Sequence, residues 1–486
     1  MQTSVMAINS IRTVIRNFAS LLTSEVVNRA TTFVLYILVA RYLGAFEFGQ
    51  LSLAITLFAV FQVLAGAGLK TLITREVAKD LQKTGQYLVN GSMIVVAGSL
   101  LSMIVLLFVV RLMDYSPETA SVILLLSLGV LPFSLSIINK AVFQAWERMH
   151  YIAWANVPVN IAKVGLAFLL LWQGQGLFSL ILLLLASYVT ILVVEWWLLL
   201  RHIVRPRVSI DRRFCTVMLR STSPFLGITL IVAINVNLDL ILLSRFTDEV
   251  QVGLFGAAAQ LITPLIVIYD TIMLSVFPEM CRQFATSLVG LKHLSGRLLE
   301  LLLAIALPVV IGLMFLAEPV ILFLYGDASF ALASQALQIL GWTLVMAAFT
   351  HVLGRVLVAG LREKVALNIV VITTLIKLGA GLVLISQFGL LGAVVTALII
   401  ALVEALLHYT SVSRLLFQMP LVRLVWKPVA AGASMALTLM LLREQGVFLS
   451  ALSGGAIYTV VLLALMIWSS GGLRQFTTRY HYLLSR

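Results

Sequence analysis

About fourteen apolar runs, most near twenty residues long and divided by short charged or turn-bearing segments, set what this chain can fold into. A run of about 20 apolar residues, coiled as a helix, crosses a hydrocarbon layer roughly 30 Å thick. Lipid offers no water to the backbone, so a crossing segment must satisfy its own hydrogen bonds. The alternating pattern of a membrane β-barrel is absent. The runs lie near 17–40, 46–69, 88–110, 119–139, 152–172, 177–200, 222–244, 252–277, 299–317, 331–354, 365–386, 389–411, 425–442 and 447–469. They predict an all-α integral membrane protein with about 14 transmembrane helices. Composition excludes the water-soluble alternative. The 486 residues are 61% hydrophobic and 11% charged, against about 45–50% and about 25% in soluble domains. The least regular stretch is 317–331, where Glu318-Pro319 is expected to interrupt a helix and Tyr325-Gly326-Asp327 to form a loop or half-helix end.

The chain carries 33 Lys and Arg against 20 Asp and Glu, a net charge of +13. Those cations sit between the apolar runs, which points to topology and anionic headgroups rather than to nucleic acid. With an internal N-terminus, 26 of the 33 fall on the cytoplasmic side, from Arg12 and Arg16 to Arg474, Arg479 and Arg486. Arg41, Arg111, Arg245 and Arg443 fall outside, and Arg29, Lys163 and Lys377 fall within spans. The expectation is a multi-pass protein of the cytoplasmic (inner) membrane with both termini in the cytoplasm. The first run carries Glu25 and Arg29 and lacks an Ala-x-Ala cleavage signal, so it reads as an uncleaved span. Cys215 and Cys281 form no CxxC motif and suggest neither a disulfide framework nor a metal site.

Two internal matches recur at similar offsets. Ser244-Arg245-Phe246 with Gly253 repeats Ala40-Arg41-Tyr42 with Gly49, 204 residues on. Ile376-Lys377-Leu378-Gly379 with Gln387 repeats Ala162-Lys163-Val164-Gly165 with Gln173, 214 residues on, and Arg362 repeats Arg148. Two six-helix halves follow. Six is even, so both halves start on the same side and the repeats are parallel. The expected domains are an N-lobe at 1–205, a C-lobe at 206–416, and helices 13–14 with the C-terminal segment at 417–486. Transporters of this kind hold substrate near the midplane and alternate access by rocking.

The stretch from Arg41-Tyr42-Leu43-Gly44 to Phe48-Gly49, the loop Phe143-Gln144-Ala145-Trp146-Glu147-Arg148-Met149, and Asp239 to Arg245 followed by Gly253 resemble the polysaccharide (Wzx-type) flippase branch of the multidrug/oligosaccharidyl-lipid/polysaccharide superfamily. The resemblance spans about 10–440. It implies two six-helix lobes around a central cavity, with the last two helices as an extension. It also implies translocation of a lipid-linked oligosaccharide on a polyprenyl-diphosphate carrier, with a polysaccharide polymerase as candidate partner. A cation-coupled multidrug antiporter and a peptidoglycan-precursor flippase of the same superfamily are the alternatives. A membrane-embedded glycosyltransferase would need acids in outer loops, which here are short. No catalytic nucleophile, Walker motif or cofactor site is present in the sequence, so the chain reads as a transporter and not an enzyme. Its energy would come from H+, Na+, the membrane potential or the substrate gradient.

Charges within spans cost at least about 2.5–3.5 kcal/mol at the bilayer centre and mark candidate sites. Glu25 and Arg29 share one face of the first span; they could hold an anionic headgroup or form a structural pair. Lys163 and Lys377 are about ten residues from either span end, or about 15 Å, too deep to snorkel readily. Pseudo-symmetry sets them facing one cavity, where they could bind a diphosphate. Arg29, Lys163, Lys377 and Glu25 are therefore the candidate substrate-binding residues. Asp239 and Asp270 are ion-coupling candidates. Glu195, Glu404, His351 and His408 read as interfacial. Trp196, Trp197, Trp426 and Tyr480 read as interfacial anchors.

Overall fold

The computed structural model describes residues 2–66, 68–206, 209–442 and 446–469, with side chains from residue 20 onward. Arg207, Arg443, Arg474, Arg479, Arg486 and Tyr480 lie outside the described residues, as do the side chains of Arg12 and Arg16. The first helices are α1 (Gln2–Gly66), α2 (Leu69–Lys79), α3 (Thr84–Met113), α4 (Pro117–Ser127) and α5 (Val130–Ala145). Then come α6 (His150–Trp172), α7 (Leu177–His202), α8 (Arg212–Phe246), α9 (Glu249–Thr286) and α10 (Leu288–Tyr325). The last are α11 (Ala333–Ala359), α12 (Glu363–Leu415), α13 (Leu421–Leu441) and α14 (Val447–Ser469).

Twelve segments among the described residues are long and apolar enough to cross a membrane. Two of them, Ser20–Gly66 with 47 residues and Glu363–Leu415 with 53, would measure about 70–80 Å if straight, more than twice the hydrocarbon thickness. Each is broken by a left-handed glycine, Gly44 at φ 79° and Gly389 at φ 55°. The chain folds back at both. Tyr36 and Phe48 bring their rings to 5.5 Å, whereas twelve residues of unbroken helix would part them by about 18 Å. A Cβ on Gly392 would run into the Leu384 carbonyl oxygen. Counting each reversal as two crossings gives the fourteen that the sequence predicts.

The stretch 317–331 differs from expectation. Glu318-Pro319 does not interrupt the helix: Pro319 lies inside α10, and the helix ends at Gly326, which is left-handed at φ 71° and returns its N–H to the Leu322 carbonyl. Pro removes one donor but need not stop a helix whose neighbours take up the freed carbonyl.

Outward faces are apolar. Val422 is 81% exposed, Leu441 76% and Trp468 75%. Such surface is unfavourable in water and is at home against lipid tails. The protein is thus a multi-pass membrane protein.

The chain divides into two compact units, Met1–Gly253 and Leu254–Arg486. In the first, Leu69, Ile73, Leu88, Phe143 and Leu199 form a buried core joining α2, α3, α5 and α7. The turn Phe143–Met149 locks this core. Trp146 Nε1 donates to Thr84 Oγ1 at 3.0 Å, and Arg148 Nη1 caps the His202 carbonyl at the end of α7 at 2.7 Å. In the second unit, Met435, Leu439 and Tyr458 join α13 to α14, and the Tyr458 hydroxyl donates to the Ala304 carbonyl of α10.

Candidate functional site

A recess of about 560 Å³ opens within the first unit, among α1, α2, α5, α6, α7 and α8. Three lysines line it: Lys70 from α2, Lys140 from α5 and Lys163 from α6. Among the described residues, Glu25 of α1 is the one carboxylate in its wall. The recess is therefore electropositive in a setting where water screens little. Its floor is aromatic. Phe133 and Tyr188 line it, and Tyr188 stacks on Phe58 with ring centroids 5.4 Å apart.

The polar wall comes from one stripe of α6. Asn156, Asn160 and Lys163 are spaced four and three residues apart, so they share a helix face. They form a ladder. Asn160 Nδ2 donates to the Asn156 carbonyl at 2.9 Å, and Lys163 Nζ donates to Asn160 Oδ1 at 2.8 Å. Asn156 Oδ1 accepts from Lys140 Nζ at 3.2 Å, while its Nδ2 donates to Glu195 Oε1 at 3.4 Å. Lys140 also lies 3.8 Å from Glu195, which is wholly buried. Lys163 is only 6% exposed and its ammonium is fixed by Asn160 at the recess wall. Lys70 stands on the loop helix α2, entered through left-handed Gly68. Its pKa is pushed below the ordinary lysine value, first because the surrounding walls take water from the ammonium, then by repulsion from Lys140, with Glu25 opposing. An anion bound here would counterbalance both effects by favouring the charged ammonium.

The recess brings together two of the sequence candidates, Glu25 and Lys163. Arg29 lies one turn along α1, outside the lining, where its Nε donates to Glu25 Oε1 at 2.6 Å; both side chains are about half exposed. Asp239 is 7% exposed on α8, also outside the lining. Lys377, 6% exposed on α12, and Asp270 belong to the second unit. Asp270 Oδ1 lies 3.3 Å from His351 Nδ1.

Several readings of the sequence need correction. Glu195 is not interfacial. α7 runs on to His202, so Glu195 sits about 10 Å inside the helix end with Lys140 and Asn156 beside it. His351 is engaged by Asp270. His408 is 3% exposed, its ring packed at Gly354 of α11 and its Nδ1 at the Glu404 carbonyl. Lys70 and Lys140, counted as topology charges, are recess residues. The spacing of Asn156, Asn160 and Lys163 was the available signal; nothing local marks Lys70 or Lys140, whose role depends on how α2 and α5 pack.

Known proteins agree with this architecture. The chain is 21% identical over 371 residues to the "Probable low-salt glycan biosynthesis flippase Agl15" of Haloferax volcanii, covering 76% of this chain and 77% of that one. A solved structure of the lipid II flippase MurJ in an inward closed conformation aligns with a TM-score of 0.73 at 17% identity, covering 97% of this chain and all of that one. An inward-facing multidrug resistance MATE transporter of the MOP superfamily aligns with a TM-score of 0.67 at 17% identity, covering 80% of this chain and 95% of that one. The model of the family described as "Polysaccharide biosynthesis protein" matches residues 14–284, more than half the sequence, and the chain belongs to that family.

Proposed function

We propose that this protein is a flippase that carries a lipid-linked oligosaccharide on a polyprenyl diphosphate from the cytoplasmic to the outer leaflet of the inner membrane for polysaccharide biosynthesis. The carrying observation is the recess walled by Lys70, Lys140 and Lys163 against the lone carboxylate of Glu25. A diphosphate entering bare hydrocarbon would lose its hydration at a large energetic cost. Fixed ammonium groups and the Asn156 and Asn160 amides replace that water. The rings of Phe133 and Tyr188 give a flat apolar surface for a sugar face. The polyprenyl tail stays in lipid, and the recess is exposed alternately to the two sides.

The arrangement is not built for cationic drugs, which three lysines would repel. Family membership and the glycan-flippase relative support the same reading. We take 1–205 and 206–416 as the repeated lobes, with 417–486 appended. Supporting this, Arg148 N–H donates to the Phe143 carbonyl after Glu147 at φ 54°, and 214 residues later Arg362 N–H donates to the Leu357 carbonyl after Leu361 at φ 58°. In this scheme Lys377 is the second-lobe counterpart of Lys163, Arg29 steadies Glu25, and Asp239 and Asp270 are candidates for H+ or Na+ coupling. Both termini lie in the cytoplasm, and a polymerase would receive the product.

Complementation of a deletion strain tests this. Lys163→Ala and the double variant Lys70→Gln/Lys140→Gln, at normal membrane levels, should each lower surface polysaccharide at least about tenfold, as loss of one charged contact of about 1.5–3 kcal/mol implies. Full export by both would refute the assignment. Restoration of peptidoglycan-precursor export rather than of surface polysaccharide would instead favour the precursor flippase.

A further inference from the structure

A second electropositive recess, of about 360 Å³, lies within the second unit between the first turns of α10 and α13. Lys292 and Arg297 of α10 and Arg423 and Lys427 of α13 line it, with Glu300 as its one carboxylate among the described residues. We propose that this recess binds the phosphate headgroup of an anionic membrane phospholipid.

The site is built rather than casual. Lys427 Nζ lies 2.8 Å from Glu300 Oε1, and the two side chains are only 9% and 7% exposed. This buried pair ties α13 to α10 and cancels itself, leaving three positive charges above it. Lys292, Gly296, Arg297 and Glu300 fall four, one and three residues apart on α10, so they form one stripe. Leu424 of α13 packs over Gly296 of α10, within 3.6 Å of where a Cβ would stand, so the two helices are in van der Waals contact at the recess. Both helices start at this end, so the positive ends of their dipoles add to the lysines and arginines.

A phosphate group is the chemistry such a site takes: a compact anion, which an arginine fork grips through two oxygens. Two sources could supply it, a free phosphate ion or a lipid headgroup. The surroundings select the lipid. On the same turns of α13 that carry Arg423 and Lys427, Val422 is 81%, Trp426 36% and Val429 49% exposed. An apolar strip with an amphipathic indole beside a basic recess is what a headgroup meets when it enters sideways from the bilayer with its acyl chains against the helix. Basic recesses between membrane helices on the cytoplasmic side are suited to such headgroups, and the tally of charges puts these four cations on that side. The site shares no residue with the lysine-lined recess of the first unit, so either can fail without the other.

The test uses the full-length protein in nanodiscs. Retention of phosphatidylglycerol is measured by native mass spectrometry after mixing it with phosphatidylcholine. Wild type should retain phosphatidylglycerol preferentially, and Arg423→Gln, at an exposed position where folding is not at risk, should weaken that preference about fivefold. Adding Lys292→Gln should bring the loss to about 25-fold. Inorganic phosphate added to phosphatidylcholine nanodiscs should not reproduce the thermal stabilisation that phosphatidylglycerol gives. Undiminished preference in both variants would overturn the proposal. So would equal stabilisation by inorganic phosphate, which would make the site one for a free ion.

Discussion

Lys140 and Glu195 face each other at 3.8 Å, the glutamate wholly enclosed and the lysine about a quarter exposed. Asn156 bridges them and continues into the ladder that ends at Lys163. Removing one partner of a buried pair leaves an uncompensated charge and costs about 3–5 kcal/mol, whereas replacing both with apolar groups of similar size is often neutral. Lys140→Met should therefore lower the thermal unfolding temperature of the purified protein sharply. Lys140→Met combined with Glu195→Leu should regain most of the loss while export stays reduced, because the recess still lacks the Lys140 ammonium. If the double variant unfolds as early as the single one, the pair is not what holds α5 to α7. This chemistry was hard to see in the sequence. Lys140 closes an apolar run and looks like any cytoplasmic flanking charge. Only the packing of α5 on α7 turns it inward.

Among the helices of the first unit, two glycines already visible as a sequence match come together. Gly49 of α1 and Gly253 of α9 follow Arg41 and Arg245 by eight residues each. In the fold they meet backbone to backbone. A Cβ on Gly49 would strike the Glu249 carbonyl, and one on Gly253 would strike the Ala45 carbonyl. Nearby, Glu249 Oε1 accepts from Thr119 Oγ1 at 2.6 Å and Ser116 Oγ at 3.0 Å, and Gln50 Nε2 donates to Thr119 Oγ1 at 3.0 Å. The glycines thus let α1 and α9 come close enough for α4 to clamp both. Backbone cannot yield as a flexible side chain can, so Gly49→Ala should cost about 1–3 kcal/mol, the usual penalty of overpacking. Its measure is a lower unfolding temperature and a reduced level in membranes; an unchanged transition would mean that the helices part without penalty. The crossings and the reversal at Gly44 were legible because lipid imposes length and helicity on each apolar run. The continuation of α10 through Pro319 was not, since a proline's effect depends on whether a neighbour satisfies the carbonyl it frees.

At the scale of the whole chain, the field that orients the helices also bears on transport. Cations that flank spans stay on the cytoplasmic side. An inside-negative potential favours outward movement of a diphosphate by about 2.3 kcal/mol per charge per 100 mV, a driving force that the proposed export would draw on without a nucleotide. This argument holds only if the crossings alternate as read, and α10 is the sharpest place to check. A break at Pro319 would let the chain re-enter and return Asp327 to the side of Ser287. A continuous α10 from Leu288 to Tyr325 puts Asp327 on the opposite face. With Cys215 and Cys281 replaced by serine, Asp327→Cys and Gln175→Cys should react in intact cells with a maleimide that cannot cross membranes. Arg205→Cys and Glu363→Cys should react only after permeabilisation. Protection of Asp327→Cys in intact cells, with Gln175→Cys still labelled, would invert every later crossing, put Arg423 and Lys427 on the face opposite Lys292 and Arg297 so that they could not share one recess, and weaken the charge asymmetry that orients the chain.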